Sequence, residues 1–302
     1  MVADGCCLKL RDFLLLVLIC LVWGYSNVLS KVVVGTWAIP PLFFAAIRFA
    51  VVVAVTIPWL LPMPRPAWRI VTIALLMGAG NFALLFIGLR TSTPSAAAVV
   101  LQIGVPFTTL LSVVVLGERI RWRRGLGIAL TLSGVLVVVW NPAGLVLSTG
   151  LWFIIGAAFT GSLGAVLMKQ VEDVAPLRFQ AWVGLVSFLP LAIASAAFEH
   201  GQWASAAAIG WPFVAAVLFA ALVVSVLGHT SYYGLIRRYD ANLLAPLTLM
   251  TPIFTIAFGV WLTGDRLDAR MVVGTLVALM GVLVIALRSG PRSALLAERE
   301  QA

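Results

Sequence analysis

The sequence predicts an all-α membrane protein of ten transmembrane helices, arranged as two inverted five-helix repeats. Three observations predict it. Apolar stretches of about 20 residues, long enough to cross a hydrocarbon layer of about 30 Å, fill almost the whole chain and alternate with short polar breaks. The composition is 62% hydrophobic and only 10% charged, with a mean hydropathy of +1.10, outside the range of soluble domains. Finally, the second half repeats a pattern of residues found in the first.

The ten spans are read at 13–34, 41–61, 70–89, 95–116, 126–140, 151–170, 179–198, 211–235, 242–263 and 271–287. The first is too long for a signal-peptide core and lacks a small-residue cleavage site, so it is read as a mature helix. The breaks are too short to hold an inserted soluble domain. This divides the chain into a leader (1–12), a first five-helix repeat (13–140), a second (151–287) and a tail (288–302). Cys6, Cys7 and Cys20 make no disulfide framework: Cys20 lies inside a span and the others in the leader.

The net charge of +9 does not indicate nucleic acid, because the charges sit at helix ends. Placing the N-terminus in the cytoplasm puts Lys9, Arg11, Arg65, Arg69, Arg119, Arg121, Arg123, Arg124, Lys169, Arg178, Arg237, Arg238, Arg288, Arg292 and Arg299 on the cytoplasmic side. The outer side holds only Arg90, Arg266 and Arg270. Cytoplasmic loops carry the excess of Lys and Arg, so both termini are expected in the cytoplasm.

The repeat is visible residue by residue. Gly88, Leu89, Leu101 and Pro106 pair with Gly234, Leu235, Leu247 and Pro252. After one inserted residue, Phe107, Thr108, Gly117, Glu118, Arg119, Gly127 and Gly134 pair with Phe254, Thr255, Gly264, Asp265, Arg266, Gly274 and Gly281. An odd number of spans per copy inserts the second copy upside down. Many secondary transporters are built this way, with the substrate site near the midplane where the repeats meet.

The segments WGYSNVLSK at Trp23–Lys31, PPLFFAAIRF at Pro40–Phe49, the run from Gly88 to Arg119 and RYDANLLAPLTLMTP at Arg238–Pro252 resemble the EamA-type family of the drug/metabolite transporter superfamily. The resemblance covers about 13–287. It implies a multi-pass protein of the bacterial inner membrane. The second-half segment is most similar to exporters of cysteine-type amino acids and O-acetylserine. The family pattern has a tryptophan eight residues before Lys169, where this chain has Gly161.

Polar groups carried into the spans are the candidate substrate contacts. Arg48 lies about eight residues into the second span, where a charge costs about 2.5–3.5 kcal/mol on insertion scales. No Asp or Glu lies deep in any span. Two readings remain open: an arginine satisfied by backbone carbonyls or snorkelling outward, or an anchor for a substrate carboxylate. Trp23, Asn27 and Lys31 share one helix face. That stripe is either a helix–helix contact or part of a cavity wall, with Lys31 reaching the interface. Asn81 and Gln102 fall inside the third and fourth spans, and Tyr232 follows His229 in the eighth. His229 is read either as a proton carrier or as a neutral hydrogen-bonding partner. Pro106 and Pro252 occupy corresponding spans and each removes a backbone donor. Paired kinks there line a central cavity or simply shape the helices.

The expected function is a secondary transporter that exports small amino-acid-like metabolites through a midplane cavity by alternating access. The substrate set is Trp23, Asn27, Arg48, Asn81, Gln102, His229 and Tyr232, with Pro106 and Pro252 as kink sites. The expected partners are a small, carboxylate-bearing molecule and the lipid bilayer. No metal, cofactor or nucleic acid is expected. The alternatives are a membrane-embedded enzyme, for which no nucleophile with a base is evident, and a channel, for which charge rings or filter loops are lacking.

Overall fold

The computed structural model describes residues 8–117, 122–139, 149–168, 170–171, 174–236, 238–239, 244 and 247–286. Glu118, Arg119, Arg121, Lys169, Arg237, Cys6, Cys7, the start of the ninth span and the tail beyond 286 lie outside the described residues. Among the described residues every element is helical.

Nine helices among the described residues are long and apolar enough to cross a membrane: α1 (Leu10–Thr36), α2 (Pro41–Trp59), α3 (Ala67–Thr91), α4 (Pro94–Val115), α5 (Trp122–Val139), α6 (Thr149–Met168), α7 (Pro176–Phe198), α8 (Trp211–Leu235) and α10 (Ala269–Ala286). Between α8 and α10 runs a shorter apolar helix, α9 (Met250–Thr263). The local sequence explains the ends. Proline occupies the first turn of α2, α4 and α7, where its missing N–H has no helical partner to lose. Gly117 and Gly264, paired in the sequence repeat, end α4 and α9 at φ 70° and 69°, a left-handed cap that glycine adopts without strain. A short helix, Gln202–Ile209, lies between α7 and α8; the sequence reading had a loop there.

Four helices widen into π-helical turns: α1 at Val32–Thr36, α3 at Leu75–Gly80, α8 at Phe219–His229 and α9 at Gly259–Thr263. Such turns displace carbonyls from the regular ladder and cluster at functional sites.

The packing pairs the halves. Contacts join α5 with α10, α2 with α7, α3 with α6, α1 with α9, α4 with α6 and α1 with α8. Exchanging the halves maps this set onto itself. The α5–α10 contact is close: a Cβ on Gly127 would stand 2.8 Å from the Gly281 carbonyl oxygen, and one on Gly134 would stand 2.6 Å from that of Gly274. The two helices therefore run antiparallel, with small residues letting their backbones touch. An aromatic cluster of Phe44, Phe82, Phe86, Phe49 and Phe213 fills the interior between α2, α3 and α8.

Candidate substrate cavity

A cavity of about 200 Å³ lies within the bundle, bounded by α2, α3, α6, α7 and α8. Its apolar wall is Phe49, Met77, Phe82 and Val183; its polar wall is Asn81, Gln180, Ser225, His229 and Tyr233, with Gly161 completing the α6 side. Phe49, Asn81 and Ser225 are near the middle of their helices, whereas Gln180 and Tyr233 are close to the end of the bundle where α1 begins. That same end carries Tyr239, whose hydroxyl donates to Asp12 Oδ2 at 2.6 Å. The hydrogen bond to the Asp12 carboxylate raises the Tyr239 phenol above its ordinary value of 10.0.

Arg48 is only 1% exposed. Its Nε donates to Ser225 Oγ at 3.0 Å, and its guanidinium carbon sits 4.3 Å from the centre of the Phe82 ring. The Ser225 hydroxyl in turn donates to the carbonyl of Ala220 at 3.1 Å, within the π-helical stretch. Ser225 and Phe82 both line the cavity, so the guanidinium lies directly behind its wall. It neither snorkels nor finds a carbonyl: its Nη2 is buried without a hydrogen-bond partner. Among the described acidic residues, Asp12, Glu199, Asp265 and Asp268 all sit towards the ends of the bundle. A buried charge with an open donor is costly unless a partner completes it.

The predicted residues separate into groups. Asn81 and His229 are on the wall. Asn81 Nδ2 donates to the Ala157 carbonyl at 2.7 Å, which ties α3 to α6. His229 Nδ1 lies 2.8 Å from the Val224 carbonyl; a carbonyl only accepts, so this nitrogen carries the hydrogen. Trp23 and Tyr232 form a layer behind the histidine, with ring centres 5.1 Å apart in both the Trp23–His229 and Trp23–Tyr232 contacts. Asn27 points elsewhere, donating to Thr255 Oγ1 at 3.3 Å in the α1–α9 contact. Gln102 bonds the Ala98 carbonyl of its own helix at 3.3 Å. It lies in a 3-10 stretch, Leu101–Ile103, just ahead of Pro106, while Pro252 is buried in α9. Lys31 Nζ donates to the Arg90 carbonyl at 3.1 Å.

The sequence reading missed Ser225 and Gln180, although both are polar residues inside an apolar run, the same signal that picks out Asn81. Phe49, Met77, Phe82, Val183 and Gly161 carry no such signal.

At the end of the bundle away from Tyr239, two carboxylates of the second half cap helices of the first. Glu199 accepts the N–H groups of Leu42 and Phe43 at 2.8 Å each, at the start of α2. Asp265 accepts the Ser95 N–H at 2.9 Å, at the start of α4, and the Thr263 hydroxyl at 2.9 Å. Carboxylates are favoured at helix N-termini, where free N–H groups point outward.

Nine apolar helices of membrane-crossing length among the described residues, around a mixed polar and apolar cavity, define a multi-pass membrane protein. The profile of the EamA-like transporter family matches residues 11–140 and again 148–287, and the chain belongs to that family. It is 28% identical over 284 residues to a Salmonella typhimurium protein named "Probable amino-acid metabolite efflux pump", covering 91% of this chain and 94% of that one. It is 27% identical over 194 residues to the "Probable terminal-alkyne amino-acid exporter" of Streptantibioticus cattleyicolor, covering 63% of each. A solved crystal structure of a protein matches its fold with a TM-score of 0.63 at 20% identity, covering 97% of this chain and 98% of that one.

Proposed function

We propose that this chain is a secondary transporter of the inner membrane that exports small, carboxylate-bearing, amino-acid-like metabolites. Ten helices cross the bilayer as two inverted repeats with both termini in the cytoplasm, and the cavity opens alternately to each side. The observation that carries the substrate reading is Arg48: a guanidinium behind the cavity wall, held by Ser225, with Nη2 unpartnered. A substrate carboxylate would supply the missing acceptor, and the phenylalanine, methionine and valine side chains would take its apolar part. Small-molecule sites commonly combine a mostly apolar wall with a few placed polar groups. The partner exchange in the α5–α10 contact supports inversion, since Gly127 meets Gly281 and Gly134 meets Gly274, the counterparts of Gly134 and Gly127. The printed names of the relatives support export of amino-acid metabolites.

The test has two stages. Untargeted profiling of medium from cells with and without the protein identifies the exported compounds. Counterflow of the labelled compound in liposomes then separates a carrier from a channel, and product analysis exposes an enzyme. Hydrogen bonds to a charged group contribute about 1.5–3 kcal/mol, so Arg48→Gln is expected to weaken apparent affinity by roughly 10–100-fold. Arg48→Lys keeps charge but loses the planar fork, so it should fall between. Well-folded Arg48→Gln protein with unchanged affinity would remove the anchor.

A further inference from the structure

α1 and α6 open the two repeats and end alike: Val28, Leu29 and Lys31 match Val166, Leu167 and Lys169. In that register Trp23 corresponds to Gly161. The offset that pairs Gly88 with Gly234 makes Phe82 correspond to Gly228. Large and small residues are therefore exchanged between two equivalent contacts. In one, the Trp23 indole covers Gly228, where an added Cβ would stand 3.2 Å from the indole nitrogen. In the other, Gly161 faces α3 at Asn81, beside Phe82, and the space is left open as cavity.

Gly161 is the one glycine of α6 on the cavity wall. A Cβ on Gly150 would stand 2.5 Å from the Gly88 carbonyl oxygen, and one on Gly164 would run into Met77. One on Gly156 would stand 3.3 Å from Leu84 Cδ1. Those three glycines meet neighbouring side chains or backbone and do not line the cavity. At Gly161 the Asn81 amide alone comes within 4 Å, with Nδ2 at 2.8 Å and Cγ at 3.6 Å. That amide is committed to the Ala157 carbonyl. Any side chain at 161 must push the amide off its carbonyl or project into a volume of about 200 Å³. Both routes take room from a ligand.

We propose that Gly161 is a specificity-determining residue: the side chain missing from this one position sets how bulky a substrate the cavity accepts. The inference rests on the transport reading above and adds the element of that site that limits size. It assigns the asymmetry between the repeats to substrate room on the α6 side, where the first repeat has an indole.

The experiment is counterflow in liposomes with labelled alanine, valine, leucine and phenylalanine, which share a head group and differ in bulk. The quantity read is the ratio of phenylalanine to alanine transport in one preparation, which does not depend on the amount of folded protein. A hydrophobic pocket discriminates a single added methylene by roughly 10–200-fold. Gly161→Ala should therefore lower that ratio by at least about tenfold, and Gly161→Leu should extend the loss to leucine and valine. Gly156→Ala, on the same helix but off the cavity wall, should leave the ratio unchanged. If Gly161→Ala alone does not fold, the double variant Asn81→Ala/Gly161→Ala removes the amide that the new Cβ meets, and the ratio is read against Asn81→Ala. A ratio unchanged by Gly161→Ala, or shifted equally by Gly156→Ala, overturns the proposal. Wild-type protein that moves no member of the panel overturns this size limit, while the transport reading stands or falls separately on the profiling of medium and counterflow of the compound it identifies.

Discussion

Asp265 offers the sharpest test of how the two halves move. It belongs to the second half but caps α4 of the first, accepting the Ser95 N–H and the Thr263 hydroxyl at 2.9 Å each, and it is 9% exposed. It also interacts electrostatically with Lys31. A hydrogen bond to a charged group contributes about 1.5–3 kcal/mol against about 0.5–1.5 for a neutral one. A carboxylate at a helix N-terminus adds about 0.3–1 kcal/mol. Asp265→Asn keeps the shape and one acceptor oxygen but removes the charge, so the clasp should weaken by about 1–2 kcal/mol. That corresponds to a factor of roughly 5–30 in a two-state equilibrium. If α4 and α9 must part at this end to open the cavity, the open population rises by that factor. The assay uses Val183→Cys on the cavity wall, in protein whose native cysteines are replaced. A membrane-impermeant thiol reagent is added from the side that carries Asp265. The reaction rate should rise roughly 5–30-fold in Asp265→Asn. An unchanged rate in well-folded Asp265→Asn protein would refute the reasoning, because the clasp would then lie within one rigid unit rather than across the moving contact.

Other outcomes follow from equally local geometry. His229 has Nδ1 bonded to the Val224 carbonyl and rings on several sides, the setting of a neutral hydrogen-bonding partner, so His229→Gln should leave the pH profile of counterflow unchanged; a lost pH dependence would make it the proton carrier. Gly281→Ala places a Cβ 2.7 Å from the Gly127 carbonyl oxygen and should destabilise the fold by about 1–3 kcal/mol through overpacking, read as a lower melting temperature. Gly125→Ala meets nothing within 4 Å and should be neutral or stabilising by up to about 1 kcal/mol through helix propensity. At the start of α10 the Asp268 carboxylate is held below its ordinary value of 3.8 by the Met271 N–H and by Arg270. Its contribution to stability is complete above 3.8 and disappears as pH falls through the lower folded value, so wild-type and Asp268→Asn melting temperatures should converge in acid.

Apolar length alone places most helices, because lipid demands continuous helical backbone across a fixed thickness. The reading of 211–235 coincides with α8, and 41–61 overruns α2 by two residues. The fifth span, 126–140, is short for a crossing and is expected to begin earlier; α5 does begin at Trp122, carrying Arg123 and Arg124 in its first turn, so the helix outlasts its apolar signal. The site was less legible, because a polar residue in an apolar run announces a need for a partner, not where the partner is. Asn27, Gln102 and Asn81 send the same signal. Thr255 meets the first and Ala98 the second, and only Asn81 reaches the cavity. Ser225 sends it too, and its role becomes visible only through Arg48, which bonds it from another helix. Gly161 sends no polar signal and stands out only as a glycine where the family pattern has a tryptophan. The matched glycines, Gly127 with Gly274 and Gly134 with Gly281, build a contact that treats the halves alike. The residues without counterparts, Arg48, whose corresponding stretch Trp182–Gly184 in α7 holds no charge, and Gly161 in the place of Trp23, both converge on the cavity from one side or the other of Phe82 and Asn81. A duplicated scaffold has no preferred chemistry until its copies diverge, so the departures from the repeat are where substrate recognition has to be sought.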